Sequence, residues 1–240
     1  MENQTYTDAL AAFGAGGAHP GSLALTKRML SGTKIDQNSN ILDAGCGTGQ
    51  TAAYLQEVFS ASVTAIDKHP VMAAKAKERL ADLPVTVLEE DLEALPFQDN
   101  SFDIVLTESV LAFTNVEKTL AELRRVLKQD GLLFAVEMTR DEELDEEEIH
   151  VLQTFYGFPQ ILNLQEWQEQ FRLAGFEPVE SNQYKLKLSE AGLTLDDLPD
   201  FMLSEEINET HTETLDIHKQ LTDAYKERLS YAVMVNRRPL

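Results

Sequence analysis

Between about residues 35 and 137 the chain alternates short apolar runs with longer amphipathic stretches, and nothing else in it constrains the fold so tightly. Residues 40–44, 62–66, 85–88, 102–106 and 131–136 read as strands; residues 50–59, 70–80 and 116–127 read as helices, the last with Leu120, Leu123 and Leu127 on one side. Strands separated by helices build βαβ units and a mostly parallel sheet. Right-handed crossovers then place helices on both faces, a doubly wound α/β fold. Ligands of such sheets bind beyond the C-terminal strand ends, where the strand order reverses. Asp43 to Gly49, Asp67, Asp91 and Thr107 to Ser109 all lie just past predicted strands.

The flanks are less regular. A glycine-rich stretch from Gly14 to Gly21 precedes a helix that ends near Ser31 and Gly32. Residues 141–148 are acidic and read as a solvated helix start, continuing through Leu152 and Phe155. A helix over 165–174, stopped by Gly175, a strand over 179–188, an acidic and largely helical segment over 189–228, and a strand over 231–236 complete the pattern. The expected organisation is an N-terminal helical lid segment (1–34), a nucleoside-binding core (35–188), an acidic helical insertion that also serves as a lid (189–228) and a last core strand (229–240).

Charge narrows the partners. The 240 residues carry 41 acidic and 20 basic side chains, a formal charge of −21. Such a surface repels phosphate backbones and anionic lipid heads, so neither nucleic acid nor membrane is an expected partner. One cysteine, Cys46, leaves no internal disulfide and no CxxC chemistry. No apolar run approaches the roughly 18 residues of a membrane span. The opening residues show no basic stretch followed by a long apolar core, so a cytoplasmic protein is expected, as a monomer or homodimer.

The chemistry concentrates in Ile41-Leu-Asp-Ala-Gly-Cys-Gly-Thr-Gly-Gln50, a strand running into Gly45, Gly47 and Gly49 with a helix directly after. Glycines there let the backbone turn sharply and let a ligand approach the main chain. The next strand ends at Asp67, where a carboxylate can accept both hydroxyls of a ribose. Asp91 stands at the same edge after the third strand. The loop is G-x-G-x-G, not G-x-G-x-x-G, and lacks the G-K-[S/T] of a phosphate loop. With no basic residue beside the glycines, the ligand is a nucleoside with a small charged tail in preference to NAD or ATP.

LDAGCGTG, Asp67, EEDLEALPFQDNSFDIVL and LRRVLKQDGLLFAVE, in that order, resemble the class I S-adenosylmethionine-dependent methyltransferases, nearest the small-molecule, ubiquinone-biosynthesis-type branch. AHPG, ESVLAF and the terminal YAVMVNRRP are similar to a bacterial subgroup of that family. The resemblance implies a seven-stranded Rossmann-like sheet with the last strand antiparallel, S-adenosylmethionine as methyl donor with S-adenosylhomocysteine as product, and a small-molecule acceptor. It implies that Gly45, Cys46, Gly47 and Gly49 line the methionine end, that Asp67 holds the ribose, and that Asp91 and the Leu92 backbone meet the adenine edge. The Thr107 main chain would face the methionine amine. Lys68 stands where many relatives place an apolar residue against adenine, so its methylenes or Met72 would substitute. Ala112-Phe113 replaces a histidine pair of the family.

Several residues carry two readings. Cys46 is a nucleophile or a small packing residue; Asp43 is a base or an acceptor for glycine-loop amides. Glu108 is catalytic or binds the cofactor's ammonium, and His19 abstracts a proton, caps the cofactor or sits in an exposed turn. Glu137 lines the acceptor pocket or pairs with a local cation. Trp167, Phe155, Tyr156 and Phe158 are a substrate wall or ordinary packing; His69 and His150 read as surface residues. TESV after the fourth strand, in place of Asn/Asp-Pro-Pro-Tyr, argues against adenine or glutamine-amide methylation. No metal-ligand cluster is recognisable. The expected reaction is in-line methyl displacement; the alternatives are a nicotinamide-dinucleotide-dependent oxidoreductase and a catalytically silent scaffold with an acidic docking surface.

Overall fold

A computed structural model describes residues 5–186 and 200–240. Seven strands form the main sheet: β1 (Asn40–Ala44), β2 (Ser62–Asp67), β3 (Thr86–Glu89), β4 (Phe102–Glu108), β5 (Leu127–Arg140), β6 (Glu177–Lys185) and β7 (Leu229–Arg237). Their order is β3-β2-β1-β4-β5-β7-β6. β7 runs antiparallel to both its neighbours, β5 and β6, while the β1–β5 pairings are parallel. Eight helices accompany the sheet among the described residues: α1 (Tyr6–Phe13), α2 (Ser22–Leu30), α3 (Gln50–Phe59), α4 (Pro70–Arg79), α5 (Val116–Val126), α6 (Glu146–Tyr156), α7 (Leu164–Leu173) and α8 (Glu209–Tyr225). This is the expected doubly wound sheet with one antiparallel strand.

Alternating residues of the central strands feed two cores, as burial on both faces requires. Leu42, Ala44 and Val105 join Leu120, Leu123 and Trp167 on one side. Ile41, Ile104 and Leu106 join Ala52, Leu55 and Phe134 on the other. Trp167 belongs wholly to this packing, its indole N–H donating to the Met138 carbonyl at 3.1 Å. Four strands, β2, β4, β5 and β7, exceed the lengths read from the sequence. β4 continues to Glu108, and β5 spans 127–140 because its far half pairs along the whole of β7, a long-range contact that local pattern does not reveal. The acidic 141–148 stretch does start a helix: Asp145 caps α6 in a reciprocal capping box with Glu148.

The flanking segments meet each other. Ala15–Gly16 and Asp200–Phe201 form a two-residue antiparallel ribbon, so neither flank is purely helical; residues 1–4 of the first, 187–188 and 189–199 lie outside the described residues. Helix α1 packs against α8, α6 and α4. Tyr6 is the hub of that contact, its ring 4.9 Å edge-on from Tyr156, 5.2 Å from His218 and stacked at 6.4 Å on Phe113. Helix α4 contributes two cations on one face, four residues apart. Buried Lys75 donates to the Ala11 and Ala12 carbonyls at 2.6 and 3.1 Å, where the α1 dipole favours a positive charge. Arg79 donates to the Thr48 carbonyl at 2.8 Å and pairs with Asp200 at 2.6 Å. Lys75→Met strips the C-terminal carbonyls of α1 of that partner and should cost roughly 1–3 kcal/mol. Hydrogen exchange should show the loss first in residues 9–14; unchanged protection there would contradict this anchoring.

Candidate active site

The strand order reverses between β1 and β4, and a cavity of about 640 Å³ opens at their C-terminal ends. Its wall includes Asp43, Gly45, Cys46, Gly47, Asp67, Lys68, Met72, Asp91, Leu92, His19 and Glu108. The glycine loop is pinned at its entry: the Gly45 and Cys46 amides both donate to the Ile66 carbonyl, at 2.8 and 2.9 Å. Gly45 has φ +81, and a Cβ there would lie 2.4 Å from a Val110 methyl. Only glycine meets both conditions.

Two expected residues lie outside the cavity wall. Gly49 caps α3, and a Cβ on it would come within 2.8 Å of Leu80 and 3.3 Å of Ala76, so it serves the close packing of α3 on α4. Thr107 is fully buried within β4, paired in register with Ala135 and donating its hydroxyl to the Phe134 carbonyl at 3.5 Å. The strand outruns its expected end, which leaves that backbone in the sheet.

The carboxylates divide their work differently from expectation. Asp67 bonds the loop: Oδ2 accepts from the Gly47 amide at 2.9 Å and Oδ1 from the His69 amide at 2.8 Å. Asp43 instead accepts from the Ala52 amide in the first turn of α3, and its Oδ2 is buried without a partner among the described residues. Burial, reinforced by Glu108 and Asp67, pushes the Asp43 carboxyl well above the usual range. Burial also raises Asp67, against the amides it accepts. The Cys46 thiol is pushed up by burial and by the same two aspartates, so at neutral pH it holds its proton and is a poor nucleophile.

Glu108, at the end of β4, accepts from the Thr26 hydroxyl at 2.6 Å through Oε1 and from the Thr51 hydroxyl at 2.7 Å through Oε2. His19 Nε2 lies 3.6 Å from Glu108 Oε1, with both side chains almost fully buried. The AHPG motif explains how His19 reaches this place. The Ser22 amide donates to the His19 carbonyl at 3.1 Å, and Gly21 has φ 78 and ψ 3, the geometry of a type II turn with proline second and glycine third. His19 is therefore not an exposed turn residue.

Sequence reading missed other contributors. His69 is not a surface residue: it lines the cavity, caps α4 and meets Asp8 of α1 at 3.2 Å. Val110 and Phe113 form an apolar wall, and Phe113 is backed by Tyr6 and by Phe158 at 4.7 Å. Among the described residues Glu137 pairs with no cation, and it does not line the cavity. Fully buried, it accepts the amides of Val110, Leu111 and Ala112 at 3.1, 2.9 and 3.3 Å, and so holds the turn that carries that wall.

The donor set fits a ligand with hydroxyls and a cationic end. Among the described residues lining the cavity, Lys68 is the one lysine or arginine, which suits no pyrophosphate. Fold and wall together define a nucleoside-binding enzyme of the Rossmann-like methyltransferase type. A family model described as "Methyltransferase domain" matches residues 42–135. The uncharacterized methyltransferase YodH of Bacillus subtilis (strain 168) is 37% identical over 232 residues, covering 96% of this chain and 97% of that protein. In fold, the chain resembles MccD (TM-score 0.74, 20% identity, 92% of this chain and 99% of that one). It also resembles phosphoethanolamine N-methyltransferase 2 of Haemonchus contortus, solved with S-adenosyl-L-methionine (TM-score 0.77, 18% identity, 98% and 58%). The chain belongs to the class I S-adenosylmethionine-dependent methyltransferases, an enzyme family, and the oxidoreductase and silent-scaffold alternatives fall away.

Glu137 supplies a pH test. Burial outweighs its three amide bonds and raises its pKa from 4.5 to about 7. Between those values the folded state holds the proton more tightly than the unfolded one, so this contribution is complete below about pH 4.5 and is lost as pH rises through about 7. Denaturant unfolding of wild type and Glu137→Gln at about pH 5 and about pH 8 should show the wild type losing roughly 3 kcal/mol relative to the variant over that span. A difference that does not change with pH would contradict the assignment.

Proposed function

We propose that this enzyme transfers the methyl group of S-adenosylmethionine to a neutral or cationic small molecule bound in the same cavity. The observation that carries this reading is the continuity of the cavity, from Asp67 and Asp91 at one end to His19 and Glu108 at the other. Asp67 would hold the ribose hydroxyls, and Asp91 and Leu92 the adenine edge, with Met72 and the Lys68 stem against its face. Gly45, Cys46 and Gly47 would take the methionine portion beside Asp43, whose unpartnered oxygen suits a cationic group. The bound donor supplies a methyl already activated on sulfonium, so the protein contributes alignment and exclusion of water.

We assign Val110 and Phe113 to the wall of the acceptor end, with Ser109, Glu108 and His19 as its polar groups. A wall with carboxylates and without cations at that end disfavours an anionic acceptor. The described parts of residues 5–34 and 200–228 act as a lid: Ala15, Gly17, Ala18 and His19 line the cavity, and the ribbon to Asp200 and the Arg79 bridge hold them over it. We read the enzyme as cytoplasmic, monomeric or homodimeric, and without a nucleic-acid partner, from its charge and sequence. No helix among the described residues is long and apolar enough to cross a membrane.

Calorimetry tests the donor assignment. S-adenosylhomocysteine should bind and NADH should not; the reverse would sink the reading. Asp67→Ala should weaken S-adenosylhomocysteine by roughly 1.5–3 kcal/mol, the worth of hydrogen bonds to a charged group. Unchanged affinity would remove Asp67 from the ribose.

A further inference from the structure

We propose that His19 and Glu108 form a general-base dyad, fixed by Thr26 and Thr51, and that the acceptor therefore carries a proton on its attacking atom. This rests on the methyltransferase reading above and specifies its substrate class. Four separate elements converge on the pair: the type II turn brings His19, α2 brings Thr26, α3 brings Thr51 and β4 brings Glu108. Both threonine hydroxyls spend their hydrogens on Glu108, one on each oxygen. A carboxylate that receives a donor on each oxygen is fixed in orientation.

His19 completes the arrangement. The tautomer that serves as a base carries its proton on Nδ1, which lies 3.3 Å from the Pro20 carbonyl. Nε2 then keeps its lone pair. It is buried, has no hydrogen-bond partner among the described residues, and sits 3.6 Å from Glu108 Oε1 in the cavity wall. A proton gained at Nε2 would find the Glu108 carboxylate beside it, which stabilises the imidazolium as it forms. The geometry is that of a base whose protonated form is already provided for.

The step balances. The acceptor's X–H bond breaks and its proton passes to Nε2, leaving the electron pair on X. X forms the new bond to carbon while the pair of the C–S bond stays with sulfur, and the imidazolium later returns its proton to solvent. A hydroxyl, a thiol or an N–H acceptor satisfies this scheme. A tertiary amine or a thioether, which has no proton to give, makes the dyad pointless.

The test uses the full chain, methyl-tritiated S-adenosylmethionine and a deproteinised bacterial metabolite extract as acceptor pool. Wild type should label an oxygen, a thioether sulfur or a nitrogen that is not quaternary. His19→Ala should lose at least about 100-fold in transfer rate, the scale of a removed general base, and added imidazole should restore part of it. Glu108→Gln should lose rate, and His19→Ala should flatten the rise of rate with pH. S-adenosylhomocysteine affinity by calorimetry should stay within about threefold in His19→Ala, a proton-transfer role leaving binding intact. Transfer undiminished in His19→Ala, loss without imidazole rescue, or label in a quaternary ammonium or sulfonium product each overturns the dyad alone. Wild type that binds no S-adenosylhomocysteine, or labels nothing, overturns the methyltransferase reading and the dyad with it.

Discussion

Like charge crowds the C-terminal edge of the sheet, and the site depends on how that crowding is tolerated. Asp43, Asp67 and Glu108 converge on one cavity, and burial together with mutual repulsion raises the first well above the ordinary carboxylate range. Each finds a different partial remedy: a helix-start amide for Asp43, loop and helix amides for Asp67, two threonine hydroxyls for Glu108. Among the described residues lining the cavity the one lysine or arginine is Lys68, whose charge eases the burial of Asp67. Desolvated carboxylates crowded by like charge favour a cationic ligand, since its arrival relieves the cost of their burial.

The other cations that approach this region work on the cover. Lys75 secures the end of α1 and Arg79 joins the glycine loop to Asp200. Helix α4 thus carries Met72 on the cavity side and both tethers further along, so the surface that meets a nucleoside also positions the N-terminal segment. Behind the opposite wall, Glu137 gathers three amides and Tyr6 stacks on Phe113, so the apolar face near His19 is supported from two directions. A chain of net charge −21 has placed its few inward-facing cations where they order backbone.

The parallel half of the sheet was legible from local pattern, because each strand and helix there is a short-range signal. β1 and α3 match the residues read from sequence, since the glycine loop marks the boundary between them. β5 was read short because its length is set by pairing with β7, about ninety residues away. At the site, the acidic residues at strand ends were visible as types and positions, but their partners were not. Asp67 takes the glycine-loop amide expected of Asp43, because which carboxylate reaches the Gly47 amide depends on the loop's path over Ile66. Thr26 and Thr51 carry no motif, and Glu137 gave no sign that its partners would be amides of another loop. The AHPG motif was the one signal that pointed at His19, and its turn geometry explains why.

The central claim, that one cavity holds S-adenosylmethionine with its methyl end toward His19 and Glu108, is tested most directly by a crystal structure with S-adenosylhomocysteine. The expected structure has ribose hydroxyls on Asp67, the adenine edge at Asp91 and Leu92, the homocysteine portion along Gly45 to Gly47, and the thioether facing His19. A ligand bound in the opposite sense, or one whose sulfur is walled off from His19 and Glu108, would contradict it.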